Sequence, residues 1–385
     1  MKEIIGKRFD EVFDLQMGKT PDRKNTLYFE GDNVWVSIRD MSNKDICESQ
    51  EHISDDAIVN CAIKKVKAGT VIMSFKLTVG KCAIAAVDLY TNEAIMAFNL
   101  KDGYYIDSSF LYYYLQSYKW QGANKAVMGL TLNKATISKQ IISIPPLPIQ
   151  QKIVAELDKV CLIIDKKKQQ LKELDNLAQA IFYDMFGDPV ENEKGWEVKK
   201  LGEECSEIRY GTSRPAVENG KYGYLRMGNL TSSGHLDLSD LKKIDIPDDE
   251  IEKCIVRNGD ILFNRTNSLE LIGKTCMFDL EEPMVIAGYI IRVRLKSTLH
   301  PRFVAILFNL PSMKKILRKM AKGAVNQANI NSKELASISI ILPPLALQQS
   351  FAAKIEAIEK QKELISRSIK EAQTLFDERM DYWFD

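Results

Sequence analysis

Ile144-Pro145-Pro146-Leu147-Pro148-Ile149-Gln150-Gln151 returns 198 residues later as Leu342-Pro343-Pro344-Leu345-Ala346-Leu347-Gln348-Gln349, and each copy opens a long heptad-patterned stretch. The chain is one unit written twice. A repeat of almost half the 385 residues, ending both times in a coiled-coil pattern, predicts two similar globular heads held apart by paired helices. Proline at these positions stops the strand before it and starts the helix after it.

After the first Pro-Pro pair, Ile153, Leu157, Val160, Ile164, Lys167, Leu171, Leu174, Ala178, Ile181 and Met185 recur in alternating steps of four and three. The matching stripe after the second is Phe351, Ile355, Ile358, Lys362, Ile365, Ile369, Ala372, Phe376, Arg379 and Trp383. Because one helix follows each head, they are expected to pair antiparallel, with Lys167 and Lys362 as register markers in an apolar seam. A helix from about 149 to 186 would span roughly 55 Å at about 1.5 Å per residue.

Upstream of each hinge the halves align through matching landmarks. Gly18-Lys19-Thr20-Pro21 answers to Gly211-Thr212-Ser213-Arg214-Pro215, both loops closing on proline. Trp35 to Met41 falls on Tyr224 to Leu230, read as a strand running into polar residues. Val66 to Lys76 matches Val256 to Thr266, a glycine turn followed by a short buried strand. Each is followed by a Gly-Lys pair (Gly80-Lys81, Gly273-Lys274), a further apolar strand, and amphipathic helices near Phe110 to Tyr118 and Phe303 to Met320. The heads close on Leu132-Asn133-Lys134 and Ile330-Asn331-Ser332. The expected fold class is therefore α+β: two repeated α/β heads, residues 1–144 and 191–342, each followed by a long helix, residues 145–190 and 343–385.

With 45% hydrophobic and 27% charged residues, the composition is that of an ordinary soluble protein. The start of the chain is too charged for a signal peptide and no run of apolar residues is long enough to span a bilayer, so a cytoplasmic location with no membrane partner is expected. Seven scattered cysteines without a C-x-x-C pair, and three histidines without ligand spacing, suggest neither a disulfide framework nor a metal site; the cysteines read as reduced, mostly buried thiols. The net charge of +1 divides into heads with 41 basic against 37 acidic residues and helices with 12 against 15. Any phosphate-binding surface must therefore come from local clustering.

Catalytic constellations fail on inspection. Gly273-Lys274-Thr275 lacks the earlier glycine of a phosphate loop, with Ser268 in its place. The Pro-Pro pairs follow Ile144 and Leu342, where a methyltransferase motif would need a polar residue. Pro21-Asp22-Arg23-Lys24 offers too few ligands for a nuclease metal, and Pro215-Ala216 keeps none.

The duplicated Pro-Pro-Leu hinge into a heptad helix, after two divergent heads, with the second head opening on Gly195-Trp196-Glu197-Val198-Lys199-Lys200-Leu201-Gly202-Glu203, resembles the specificity subunit of type I restriction-modification systems. The likeness covers the whole chain; the first head departs from it by carrying Lys2-Glu3-Ile4-Ile5-Gly6 where the second has Gly-Trp. The resemblance implies that each head is a target recognition domain reading one half of a split, asymmetric sequence in double-stranded DNA. It implies that the helices set the separation of the halves and seat two methyltransferase (modification) subunits, with restriction subunits, ATP-dependent translocase-nucleases, where the system has them. The chain itself would then be non-catalytic and bind no cofactor or metal: S-adenosylmethionine, ATP and magnesium would sit on the partner subunits.

Base readout requires side chains that place two hydrogen-bonding atoms against a base edge, chiefly Arg or Lys for guanine and Asn or Gln for adenine, and loops at strand ends suit that work. In the second head the candidates are Asn264, Arg265, Thr266 and Asn267, with Thr212, Ser213, Arg214 and Arg226 at the earlier landmarks. In the first head the matching places are Lys19, Thr20, Arg39, Lys76 and Thr78. Lys81 and Lys274 recur in both heads, which suits phosphate positioning, since positioning should be shared and specificity should differ. Lys125, Asn326 and Gln327 are weaker candidates, and Tyr112-Tyr113-Tyr114 reads as core. The competing reading is a two-headed coiled-coil scaffold for protein interaction without DNA specificity, which the near-neutral charge would suit.

Overall fold

The structure is a computed structural model that describes residues 5–121, 124–126, 129–231, 233–324 and 327–385. The chain forms two compact units, one of residues 1–166 with 368–385 and the other of residues 167–367. This division cuts the chain differently from the four-part reading, because each unit takes a head together with part of both long helices.

The heads repeat one another in the order of their principal strands. In the first unit the main sheet runs Phe13–Met17, Ile95–Leu100, Val71–Ser74, Cys82–Ala85, with Asp45–Ile46 added at the edge. In the second it runs Cys205–Tyr210, Ile290–Leu295, Ile261–Asn264, Thr275–Met277. A second sheet in each unit contains a parallel pair, Asn33–Val36 beside Tyr90–Thr91 and Tyr222–Leu225 beside Met284–Ile286. A third pairs Lys76–Leu77 with Gly129–Thr131, and Thr266–Asn267 with Gln327–Asn329. The opening strands Ile5–Arg8 and Val198–Lys200 pair with the strands that lead into the hinges, Ile141–Ile144 and Ser339–Ile341. The first head therefore begins on the same strand as the second, although it lacks the Gly-Trp sequence.

The reason for the hinge motif is visible in its glutamines. Gln150 and Gln348 are fully buried, while Gln151 and Gln349 are exposed. The Gln150 amide accepts from Asp107 N at 2.8 Å and donates to the carbonyls of Pro145 at 2.8 Å and Tyr105 at 3.2 Å. Gln348 accepts from His300 N at 2.8 Å and donates to Pro343 at 2.8 Å and Thr298 at 3.1 Å. One side chain thus locks the helix start to the segment that begins each head's main helix, and satisfies polar groups that burial would otherwise strand.

Both long helices, Leu147–Phe186 and Leu345–Phe384, have 40 residues and pair antiparallel. In the first unit Arg379 pairs with Glu156, which also accepts from Trp383 Nε1 at 3.1 Å, and Met380 packs with Ile153 and Leu157. In the second, Lys362 meets Asp175 at 2.7 Å, and the Phe182 and Phe351 rings lie 5.5 Å apart. Lys362 is largely buried and also lies 2.7 Å from His235 Nε2, so it acts as a specific polar seam contact. Burial pushes the His235 imidazole below its ordinary value, ahead of the opposing influence of Glu359.

Three sequence expectations change. The heptad seam slips near its end: Phe182 and Phe186 are fully buried and Ile181 and Met185 only partly, because a helix of 3.6 residues per turn drifts from a 3.5 repeat. The two phenylalanines instead close on Phe303 of the second head. The amphipathic stretch from Phe303 is two helices, Pro301–Asn309 and Pro311–Met320, because the residue before proline is driven out of the helical region and Leu310 has ψ 146°. Of the seven thiols only Cys82, Cys254 and Cys276 are buried, and Cys47 is exposed. Tyr113 and Tyr114 are core, as expected from their spacing. No helix among the described residues is long and apolar enough to cross a membrane.

Candidate nucleic-acid interface

Strand register brings the predicted loops of each head to one sheet edge. Met17 faces Met96 and Ser74 faces Ile95, so the loops after Met17 and Ser74 leave beside the turn that precedes Ile95. The parallel strand ends there too, with Val36 facing Thr91 and Asn92 N donating to Val36 O at 3.0 Å. Tyr210 facing Ile291, Asn264 facing Ile290 and Leu225 facing Ile286 reproduce this convergence in the second head.

The backbone frame at the edge is the same in both heads. Phe75 N donates to Ala94 O, and Arg265 N to Tyr289 O, each at 3.0 Å. Gly80 N closes on Ser74 O at 3.0 Å, and Gly273 N on Asn264 O at 3.1 Å. The loop after the parallel strand is held by an acceptor side chain in both: Asp40 takes Ser37 N at 2.8 Å, and Asn229 takes Arg226 N at 2.8 Å. Trp35 to Met41 is therefore a strand only as far as Val36, and a capped turn beyond it. Burial would raise the Asp40 carboxyl, but bonds from Ser37 and Gln50 outweigh it and hold the group below its ordinary range.

What differs is the side chains on this frame. Phe75 is buried, whereas its counterpart Arg265 is partly exposed with its guanidinium 4.8 Å from the centre of the Tyr210 ring. Lys19, Arg39 and Thr78 are exposed, and Thr20, Lys76 and Lys81 partly so. Thr20 bonds Glu93, and Lys81 Nζ donates to Ile38 O at 2.9 Å, which ties the Gly80-Lys81 turn to the Arg39 loop. In the second head Ser213 is exposed and Thr212, Thr266, Asn267 and Lys274 are partly exposed. Thr266 Oγ1 donates to Asn329 at 3.1 Å, and Asn267 Oδ1 accepts from Ser268 N at 2.9 Å.

Asn264 is a correction. Its side chain is fully buried at the end of the strand, accepting from Thr266 N at 3.3 Å, so it shapes the loop and cannot present its amide to a base edge in this conformation. Arg214 and Arg226 are exposed enough to reach out but already engaged. Glu250 holds Arg214 through two bonds at 2.7 and 3.0 Å, raising the guanidinium and lowering the Glu250 carboxyl, and Asp240 holds Arg226 at 2.8 Å. Either arginine must exchange its carboxylate for a nucleic-acid contact. The Lys125 side chain and Asn326 lie outside the described residues.

Sequence reading missed Tyr210 and Tyr289, which are 39% and 53% exposed at the edge of the second head; Tyr210 backs the Arg265 guanidinium and Tyr289 offers a ring face for stacking. The signal was available for Tyr289, which follows Gly288 in the turn between two apolar strands. It also missed Lys314 and Arg318, whose helix meets the Gly273 turn from a distant part of the sequence. Among the described residues no cluster of His, Cys, Asp and Glu could hold a metal ion.

A family model described as "Type I restriction modification DNA specificity domain" matches residues 1–176 and 193–374. The MjaIX type I restriction enzyme specificity subunit of Methanocaldococcus jannaschii is 27% identical over 260 residues, covering 61% of this chain and 60% of the relative. The EcoKI specificity subunit of Escherichia coli K12 is 26% identical over 248 residues, covering 60% of this chain and 53% of the relative. The chain thus spans between half and two thirds of the length of these curated relatives. In fold it is similar to a chain from a structure described as "Structural basis underlying complex assembly and conformational transition of the type I R-M system", with a TM-score of 0.62 at 18% identity over 100% of this chain and 98% of that one. It is also similar to the type I restriction-modification system S subunit from M. genitalium, with a TM-score of 0.52 at 12% identity over 99% and 96% of the two chains.

Proposed function

The chain belongs to the type I restriction-modification DNA specificity family, and on that premise we propose that it is the DNA sequence-recognition subunit of a type I restriction-modification complex. Each head presents its loop edge to the DNA and reads one half of a two-part, asymmetric target. The observation that carries this reading is the matched edge: one hydrogen-bonded frame, twice, with different side chains mounted on it. A duplicated frame gives two readers one mode of docking, and the exchange of Phe75 for Arg265 gives them different preferences. Arg265 suits guanine through its paired donors, while Asn267 suits adenine. Tyr210 and Tyr289 supply apolar and stacking surface beside them.

The partners in this reading are double-stranded DNA, two methyltransferase subunits seated on the long helices, and restriction subunits where the system has them. Those partners carry S-adenosylmethionine, ATP and magnesium; this chain carries recognition and no catalysis, and works in the cytoplasm. The near balance of basic and acidic residues supports a division of labour in which the methyltransferase subunits supply much of the phosphate contact, and this chain supplies selectivity.

Gel retardation of random-sequence duplexes, with and without the methyltransferase partner, tests this reading. Salt-sensitive retention that enriches a two-part sequence is expected with the partner present. Retention without enrichment, or none at any salt concentration, would remove the DNA-recognition reading and leave the protein-interaction scaffold.

A further inference from the structure

The helix Pro311–Met320 packs Met313 and Leu317 into the second head and carries four cations, Lys314, Lys315, Arg318 and Lys319, with no acidic residue in its ten positions. Lys315 and Lys319 are exposed and need no explanation beyond a solvated helix face. Lys314 does not fit that description. It turns inward, donating to Gly273 O, which Thr275 Oγ1 already serves at 3.0 Å. Arg318 Nη2 donates to Glu270 O at 3.2 Å.

Both cations therefore lie on the turn that ends at Lys274, and that turn directly follows the candidate reading segment, closed onto it by Gly273 N to Asn264 O at 3.1 Å. The approach is close: Gly273 has φ +73°, a conformation that favours glycine, and the Leu317 side chain packs against it from the helix. Burial drives the Lys314 ammonium down to about 7, and the neighbouring charges of Arg318 and Lys274 push the same way. Among the described residues no carboxylate comes within ion-pair distance of any of the three. Three neighbouring cations without a counter-charge cost the free chain stability, a cost that a bound anion would relieve.

We propose that Lys274, Lys314 and Arg318 form a phosphodiester seat in the second head that grips the DNA backbone next to the bases met by the Arg265–Ser268 segment. This rests on the DNA-recognition reading and deepens it. In the first head the helix Ser108–Ser117 answers to Pro301–Asn309, and residues 118–121, which follow it, form no second helix like the one that carries Lys314 and Arg318. The Gly80 turn there is covered by Trp120, whose Nε1 lies 3.7 Å from where a Gly80 Cβ would be, and Lys81 reaches away from it to Ile38 O. The two heads thus share a reading frame and differ in how the backbone beside it is held, so the seat would anchor one half of the target first.

Salt titrations of DNA affinity, made on the chain assembled with its methyltransferase subunits, separate the possibilities. K314Q and R318Q are each expected to lower the slope of log affinity against log salt by roughly 0.9, the signature of one lost phosphate contact. They should weaken the target duplex and a scrambled duplex by the same factor, with the enriched sequence unchanged, while K315Q leaves the slope as it was. K314M should melt no lower than the unaltered chain, whereas a lysine present only for structure would lower it. If K314Q fails to assemble, R318Q, altering an exposed side chain, carries the test. Unaltered slopes in both variants, with sequence selectivity intact, overturn the seat alone; absence of selectivity in the unaltered complex overturns the functional reading beneath it.

Discussion

Replacing Gln348 by alanine tests the structural logic of the hinge. The side chain makes three bonds, accepting from His300 N at 2.8 Å and donating to Pro343 O at 2.8 Å and Thr298 O at 3.1 Å, in a site without solvent exposure. At about 1 kcal/mol net for each bond, the loss is about 3 kcal/mol, and more if the freed groups find no water. The unit that contains it, residues 167–367, is of a size at which each kcal/mol moves the melting temperature by about 2–4 °C, so Q348A should melt roughly 6–12 °C lower. Q349A, which alters the exposed neighbour, should stay within about 0.5 kcal/mol of the unaltered chain. Differential scanning calorimetry of the full chain supplies the reading, and Q150A should repeat it for the first unit. If Q348A and Q349A melt together, the buried glutamine does not lock helix to head, and the reason given for the duplicated motif is wrong.

Four further outcomes follow from the same structure. Glu207 neutralises the fully buried Arg292, so E207A should cost about 3–5 kcal/mol in urea unfolding, since a buried cation loses its carboxylate. R265A should relax the preferred base in one half of the target and leave the other half unchanged, at a cost of about 1–3 kcal/mol in selective affinity, measured by competition with single-base variants. Lys314 should make stability depend on pH in a defined direction. Its folded-state value of about 7 lies below the ordinary 10.5, so the unfolded chain binds the proton more tightly between them and stability rises with pH over that interval, the penalty being complete below about 7. Burial, Arg318 and Lys274 set this value, so K314M should abolish that share of the slope in melts compared from pH 6 to 9. Four residues inserted near Lys168 should change the gap between methylated half-sites; an unchanged gap would mean that the helices do not set the spacing.

Much of the fold was legible because it is written in one-dimensional periods. The Pro-Pro-Leu repeat marked the duplication, the four-three stripe from Ile153 to Leu174 marked the seam, and the apolar runs Val71–Met73 and Ile261–Phe263 marked buried strands. The side-chain assignments at the loops were less legible, for identifiable reasons. Every position from Ile261 to Asn264 is buried, so no inside-outside alternation warned that Asn264 faces inward. Arg214 and Arg226 find their carboxylates 36 and 14 residues away, at separations that no local pattern encodes. Lys314 lies within the amphipathic stretch from Phe303 to Met320, and its contact with the Gly273 loop depends on the break at Leu310 that starts a separate helix at Pro311. Loops whose geometry depends on tertiary approach are where side-chain roles have to be read from structure.

The most direct test of the central claim is a map of the positions methylated by modification subunits when they are assembled on this chain. The account predicts one two-part sequence with a constant gap, and a change confined to one part when Arg265 is replaced by alanine. Methylation at unrelated positions, or at a single uninterrupted sequence indifferent to Arg265, would contradict it.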